Sequence, residues 1–142
     1  MDREDLLKKV PLFSELGKGD LKRLAKIMVP RSIKAGETII KENDQAAGFF
    51  IVSEGKAEAV RGADTANPHV LGTFGPSDFF GEMALFEGFP RSATVRAVED
   101  TECLAMTRWD FMAEMKNHPE IAVAMLPVLV RRLREADAKL AE

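Results

Sequence analysis

Hydrophobic residues recur at two different spacings, and the change between them divides the chain into three parts. In residues 2–28 the apolar positions have helical spacing, with Asp2 and Asp20 as predicted N-caps of two short helices. From Val29 to Thr107 short apolar segments of strand length alternate with turn residues. After Thr107 the helical spacing returns. The pattern predicts a β structure flanked by helices.

Eight segments of the middle part have the length of β-strands. Gly, Pro, Asn and Asp residues separate them, at spacings typical of an antiparallel sandwich or roll. We therefore predict a mainly β fold, an eight-stranded antiparallel β jelly roll with short N-terminal helices and two C-terminal helices. The predicted strands lie near residues 31–34, 38–41, 48–53, 56–61, 69–74, 78–80, 91–97 and 102–106.

Two helices are predicted in the C-terminal part. The first spans 108–117, and Pro119 is suited to the first turn of the second, which contains Pro127 and is expected to kink there. The second helix keeps an apolar seam with alternating steps of three and four residues. The seam serves either as a dimer face or as a surface that packs over the roll, and the sequence leaves both open. Its members are Leu126, Leu129, Leu133, Ala136 and Leu140.

Composition and charge narrow the class of protein. The chain has 142 residues, 46% of them hydrophobic and 30% charged, which predicts a single domain over 1–142 with parts at 1–28, 29–107 and 108–142. A net charge of −3 gives no cationic excess for nucleic acid or membrane binding. The N-terminus has no apolar stretch of a secretory signal, so we expect a cytoplasmic protein.

Metal and nucleophile chemistry finds little support in the sequence. His69 and His118 are too few and too isolated to predict a metal site, and a small jelly-roll metalloenzyme would need several inward histidines. Cys103 lies among apolar residues of a strand and is interpreted as buried filler. We expect no catalytic residues, no metal and no cofactor, and hence no enzyme.

Residues 80–97 depart from the sandwich pattern in a way that suggests an anion site. Gly81 follows an apolar strand, and residues 82–85 can form one helical turn, whose first N–H groups would face open space. Arg91 is predicted on the inward face of the strand 91–97, beside small apolar residues. An inward arginine requires an anion.

A carboxylate at the same turn suggests that the anion also carries hydroxyl groups. Glu82 would repel a phosphate but accept hydrogen bonds from hydroxyls. The small side chains of Ala57 and Ala59 on one face of their strand leave room for a ligand. Together these residues point to a nucleotide with one compact negative charge.

The run from Phe80 to Ala97 resembles the phosphate-binding cassette of cyclic nucleotide-binding domains. This family includes catabolite activator proteins, the regulatory subunit of cyclic-AMP-dependent protein kinase and cyclic nucleotide-gated channels. The Phe-Gly-Glu and Pro-Arg-small-Ala-Thr patterns are complete, with the cassette itself at 80–93. The resemblance extends to residues 11–16, 35–44 and 50–55.

The resemblance implies a set of phosphate contacts. Arg91 would pair with the exocyclic phosphate oxygens, and the Ser92 hydroxyl would donate a further hydrogen bond. Backbone N–H groups around Met83 and Ala84 would complete the cradle.

The resemblance also implies contacts to the rest of the nucleotide. Gly81 and Glu82 would hold the ribose 2′-hydroxyl, and Ala59 and Leu71 match positions on the base or ribose side. In transcription factors of the family, hydroxyl residues of the long C-terminal helix contact the base. This chain has Ala136 and Asp137 there instead.

These observations favour a non-enzymatic sensor for a cyclic nucleotide, cyclic AMP in preference to cyclic GMP. Ligand binding would shift the C-terminal helices through an apolar hinge, predicted to link Phe79, Phe80 and Leu85 with the helical residues Phe111, Leu126 and Leu129. No nucleic acid or membrane partner is expected, and the effector is unidentified. The alternative is a ligand-free structural or dimerisation domain of the same fold. A DNA-binding regulator would require more chain.

Overall fold

The N-terminal helices form as predicted, except at the start of the second. The structure is a computed structural model that describes residues 2–141. The Asp2 carboxylate accepts a hydrogen bond from the N–H of Asp5, which confirms this N-cap. The elements are α1 (Arg3–Lys8), a 3-10 turn (Pro11–Phe13) and α2 (Lys18–Ile27).

Asp20 was predicted as the N-cap of α2, and this prediction is wrong. The helix begins at Lys18 because its first turn closes on Gly17, whose carbonyl accepts from the N–H of Leu21. Asp20 therefore lies inside the helix, where it is buried and accepts a hydrogen bond from Arg23 Nη1 at 2.7 Å.

Eight antiparallel strands form two four-stranded sheets, which confirms the predicted jelly roll. The strand order is β1-β8-β3-β6 in one sheet and β2-β7-β4-β5 in the other. The strands are β1 (Val29–Ile33), β2 (Thr38–Ile40), β3 (Gly48–Glu54), β4 (Ala57–Arg61), β5 (His69–Phe74), β6 (Phe79–Phe80), β7 (Thr94–Ala97) and β8 (Thr101–Thr107).

Small and aromatic side chains from both sheets fill the core of the roll. The Phe80 ring stacks on that of Phe50, with ring centroids 5.3 Å apart. It also contacts the Phe74 ring, with ring centroids 5.0 Å apart. Sheet residues with short side chains complete this core, among them Ala57, Val95, Ala97 and Cys103. The alternation of apolar residues seen in the sequence thus reflects the inward faces of the strands.

The seventh strand is shorter than predicted, and this changes the position of Arg91. The strand β7 begins at Thr94, whereas a strand over 91–97 was predicted. Pro90 and Arg91 instead pair with the loop before β3: the N–H of Arg91 donates to Asp44 O, and its carbonyl accepts from the N–H of Asn43. Arg91 therefore does not share a strand face with Val95.

The C-terminal part contains α3 (Arg108–Asn117) and α4 (Glu120–Ala141), with Pro119 just before α4 and Pro127 within it. No helix among the described residues is long and apolar enough to cross a membrane. The chain divides into two compact units, residues 28–111 and the remaining N- and C-terminal segments together. The prediction of a single domain over 1–142 stays a prediction.

Candidate functional site

The cassette surrounds a cavity of about 430 Å³ within the unit formed by residues 28–111. This volume lies within the range of small-molecule sites, roughly 300–1,000 Å³. The cavity brings together most of the residues predicted from the sequence, namely Gly81, Glu82, Met83, Ala84, Arg91 and Ser92.

Gly81 allows the backbone to approach Arg91 closely. Its φ of +81° lies in the left-handed region, which glycine adopts without a steric penalty. A Cβ at this position would lie 2.6 Å from Arg91 Nη1 and 3.3 Å from the carbonyl oxygen of Gly48. Glycine is therefore required here both by the backbone conformation and by the guanidinium packed against it.

The helical turn predicted after Gly81 is present as a 3-10 turn over Glu82–Leu85. The N–H of Ala84 donates to Gly81 O at 3.0 Å and is therefore not available to a ligand in this arrangement. The predicted contact between the Ala84 N–H and a phosphate stays a prediction. Within residues 2–141, the N–H of Met83 has no acceptor. The available backbone donor is thus at Met83.

Arg91 points into the site without a carboxylate partner among residues 2–141. Its Nη2 donates to the carbonyl oxygen of Gly48 at 2.5 Å. Partial burial lowers the pKa of the guanidinium from its ordinary value, because desolvation disfavours the charged form. A half-buried cation that is bonded to a neutral carbonyl is electrostatically suited to receive an anion.

The carboxylate and hydroxyl predicted at the site also line the cavity. Glu82 is half-buried at the start of the 3-10 turn, and Ser92 is exposed. The Ser92 carbonyl accepts from Arg61 Nε at 3.5 Å. Among residues 2–141, the Ser92 hydroxyl has no hydrogen-bond partner. The arrangement offers a cation, a backbone N–H and a hydroxyl for an anion, and a carboxylate for hydroxyl groups.

Ala59 and Leu71 do not line this cavity. Ala59 is half-buried in β4 and pairs with Gly72 and Val95, while Leu71 lies at the irregularity of the β4–β5 pairing and is 46% exposed. The structure therefore places both residues in the same sheet, one strand apart, but outside the lining of the phosphate side. Their predicted contact with the base or ribose stays a prediction.

Sequence reasoning missed several residues at the cavity. The carbonyl of Gly48 holds the Arg91 guanidinium, and nothing in the sequence near Gly48 indicates this role, since any residue has a carbonyl. Glu87 places a second carboxylate on the lining. Three further lining residues were not named as site residues: Phe89 and Pro90 lie within the cassette, and Ala46 lies in the loop before β3.

The structure places the predicted hinge residues in different surroundings, and their role as a hinge stays a prediction. Phe80 belongs to the core of the roll, whereas the ring of Phe86 in the cassette meets that of Phe111 in α3 edge-on, with ring centroids 5.6 Å apart. Leu126 and Leu129, the other predicted hinge residues, belong to the second compact unit. The sequence analysis named Leu85 and not Phe86, because nothing in the local pattern of these two adjacent apolar residues indicates which one contacts α3.

The cassette also contacts the first residue of α3. A Cβ at Gly88 would lie 2.5 Å from Arg108 Nη1, so the guanidinium packs directly on the Gly88 backbone. The same guanidinium lies 5.1 Å from the Trp109 ring centroid, and the Arg108 N–H donates to Ala47 O. The loop after the 3-10 turn is thus in contact with the start of α3 at two points.

His118 is less isolated than the sequence indicated, because two carboxylates lie close to it. His118, Asp20 and Glu120 place one ligand-type atom each within 4.8 Å of one another. Arg23 already donates to Asp20, and His118 Nδ1 lies 3.6 Å from Glu120 Oε2. The pKa of Glu120 is lowered, first by a hydrogen bond from its own backbone N–H. The cluster is therefore an internally paired group at the start of α4.

Comparison with known proteins identifies the family of the chain. Residues 30–118 match the cyclic nucleotide-binding domain family. A cyclic AMP receptor protein of Thermus thermophilus is 34% identical over 134 residues, which cover 94% of this chain and 62% of that protein. A cAMP-dependent protein kinase regulatory subunit of Dictyostelium discoideum is 36% identical over 112 residues, covering 76% of this chain and 34% of that protein.

Solved structures show the same fold. The N-terminal domain of a transcriptional regulator from Streptomyces coelicolor superposes with a TM-score of 0.88 at 31% identity, covering 96% of this chain and 95% of that one. The catabolite activator protein of Thermus thermophilus superposes with a TM-score of 0.73 at 34% identity, covering 92% of this chain and 62% of that one.

These matches define the class of protein: the fold and the cassette are those of a cyclic nucleotide-binding domain, and the chain belongs to that family. By name, the relative from Thermus thermophilus is a receptor protein and that from Dictyostelium discoideum is a kinase regulatory subunit. The chain spans 62% of the length of the Thermus thermophilus receptor protein.

Proposed function

We propose that this chain is the sensing domain of a regulatory protein, and that the cavity at Gly81–Ser92 binds cyclic AMP in preference to cyclic GMP. The observation that carries the proposal is the Arg91 guanidinium, which lines the cavity and, among the described residues 2–141, has a neutral carbonyl and no carboxylate as partner. The preference for cyclic AMP is supported by the names of two relatives, a cyclic AMP receptor protein and a cAMP-dependent kinase subunit.

Each group at the cavity has a role suited to its chemistry. Arg91 would pair with the exocyclic phosphate oxygens, while the N–H of Met83 and the Ser92 hydroxyl donate to the same group. Glu82 would accept a hydrogen bond from the ribose 2′-hydroxyl. In the structure Arg91 donates to Gly48 O. On binding, Arg91 would donate to the charged phosphate instead of, or in addition to, this carbonyl, and a hydrogen bond to a charged acceptor is the stronger of the two.

The contacts between the cassette and α3 would transmit binding to the C-terminal helices. A ligand that draws Arg91 and the 3-10 turn together moves Phe86, which rests against Phe111. The loop at Gly88 would move with it against Arg108. The ligand would thereby favour one arrangement of α3 over another, as a switch requires.

The apolar seam of α4 would form a homodimer interface. Leu126, Leu133 and Leu140 are 57%, 63% and 86% exposed, respectively. Val123 and Val130 extend the same face with steps of three and four residues and are exposed as well. A face of this width in water favours association with a second copy.

Calorimetric titration with cyclic AMP and cyclic GMP tests the proposed function. We expect binding of one nucleotide per chain, with the higher affinity for cyclic AMP, and a loss of at least about tenfold in Arg91→Ala. Arg96→Ala is the matched control, because Arg96 is also half-buried but pairs with Glu58 Oε1 at 2.9 Å and lies outside the cavity.

The competing function, a ligand-free structural domain, predicts a different result. Neither nucleotide would give heat or raise the melting temperature up to millimolar concentration, and Arg91→Ala would change stability alone. That result would contradict the proposed sensor.

A further inference from the structure

A second cleft of about 460 Å³ opens between the two sheets of the roll, on the side where β1 and β2 are the edge strands. It lies within the unit of residues 28–111 and is formed by parts of β1, β2, β3 and β8. The two cavities share only Arg91 among their lining residues, so the cleft is distinct from the cassette cavity.

The floor of the cleft is apolar. Ile40 of β2 and Phe50 of β3 face the core of the roll, and Ala105 and Met106 of β8 line the same space. Ile40 and Ala105 are half-buried, whereas Phe50 and Met106 are buried. A site of this kind gains free energy by accepting an apolar group of matching size.

Arg31 places a positive charge at this apolar space from the inward face of β1. It lies opposite Cys103 of β8 and two residues before Ile33, and both of these residues are buried in the core, so Arg31 shares their face of the sheet. Lys41 lines the cleft from the end of β2. Within residues 2–141 neither side chain has an ion-pair partner.

The charges of the lining favour an anionic group. Arg31, Lys41 and Arg91 are cationic, and Asp44 is the one carboxylate among the lining residues. Thr38 and Thr107 add hydroxyl groups at the margin. Arg31 and Lys41 are exposed and Arg91 is half-buried, and a carboxylate bound beside these cations would accept charge-assisted hydrogen bonds from them.

We propose that this cleft is a second ligand site, and that it binds an organic monoanion with an apolar body, a medium-chain or aromatic carboxylate. The apolar body would lie against Ile40, Phe50 and Ala105, and the carboxylate would pair with Arg31 and Lys41. The site goes beyond the nucleotide function, since none of the residues that hold the apolar body or define the Arg31 end belongs to the cassette.

Octanoate is a suitable probe, titrated into the isotopically labelled chain while the backbone amide shifts are recorded. We expect saturable shifts at Ile40, Ala105 and Met106. Two probes of the same chain length, 1-octanol and octylammonium, should bind at least about tenfold more weakly, because a charge-assisted pair contributes roughly 1.5–3 kcal/mol. Equal affinity for the three probes, or shifts confined to residues 81–92 or to α4, would overturn the proposal.

Two variants distinguish a specific contact with Arg31 from a general effect of the net charge of the chain on octanoate binding. Arg31→Ala should weaken octanoate about tenfold, whereas Lys34→Ala, which removes the same charge from an exposed position outside the cleft, should leave it unchanged. Similar octanoate affinities in the two variants would contradict the assigned role of Arg31.

The two proposed sites fail independently. Arg31→Ala should bind cyclic AMP as the parent does, and Glu82→Gln should bind octanoate as the parent does, since each residue lines one cavity only. A chain that binds octanoate but no nucleotide would refute the sensor and keep the second site. A chain that binds nucleotide but no octanoate would do the reverse.

Discussion

Replacing Gly81 with alanine separates the two demands that the structure makes of this residue, a left-handed backbone and room for a guanidinium. At φ +81° an alanine is strained by about 1–2 kcal/mol. Its Cβ would also lie 2.6 Å from Arg91 Nη1, closer than a non-bonded contact allows. Because that atom ends a flexible side chain, the guanidinium moves away and the fold persists.

Gly36 provides a matched control. It has a similar φ of +86°, but a Cβ there meets no atom within 4 Å. Gly36→Ala therefore carries the backbone strain without displacing any side chain. Both variants should lose a few degrees of melting temperature, since about 1 kcal/mol shifts a domain of this size by roughly 2–8 °C.

The two variants should differ in nucleotide affinity. Displacing Arg91 removes a charge-assisted contact of roughly 1.5–3 kcal/mol, so Gly81→Ala should bind cyclic AMP at least about tenfold more weakly. Gly36→Ala should stay within about twofold of the parent. Calorimetric titration and thermal unfolding of the three proteins measure both effects. Equal cyclic AMP affinities in the two variants would refute the role assigned to the contact between Gly81 and Arg91.

Three further predictions follow from individual contacts. Glu82→Gln should bring the affinities for cyclic AMP and its 2′-deoxy analogue close together, because the carboxylate is the proposed acceptor of the 2′-hydroxyl; an unchanged ratio in a competition assay would argue against this. Cyclic AMP should change the fluorescence of Trp109, which lies at the start of α3. Phe86→Leu should keep the cyclic AMP affinity within about threefold but abolish this change, since it removes the ring contact with α3 while leaving the cavity; a parent-like change would contradict transmission through Phe86. Burial raises the pKa of the Cys103 thiol to about 11, so Ellman's reagent should modify it at pH 8 only on unfolding, and rapid reaction in the native protein would show the packing to be wrong.

Much of the roll could be predicted from local sequence because strands and turns leave a strong local signal. Alternating apolar residues place β3, β4 and β8 nearly at their observed bounds. Gly81 was recognised from its position between an apolar strand and a helical turn, and its positive φ agrees with that. These features depend on residues close together in the chain.

The predictions that failed depend on contacts between distant segments. Arg91 leaves the strand because its backbone pairs with Asp44 and Asn43, almost fifty positions away, and no alternation in 91–97 encodes that pairing. The bond from Arg91 to Gly48 O is invisible for the same reason. Asp20 is a residue type that often caps helices, but the hydrogen bond from the Leu21 N–H to Gly17 O starts the helix earlier.

The most direct test of the central claim is a crystal structure of the chain with cyclic AMP. The account predicts the cyclic phosphate against Arg91 and the N–H of Met83, and the ribose 2′-hydroxyl within hydrogen-bond distance of Glu82. It also predicts that Arg91 turns at least partly from Gly48 O toward the phosphate. Nucleotide bound outside the cassette, or an empty cassette at saturating cyclic AMP, would contradict it.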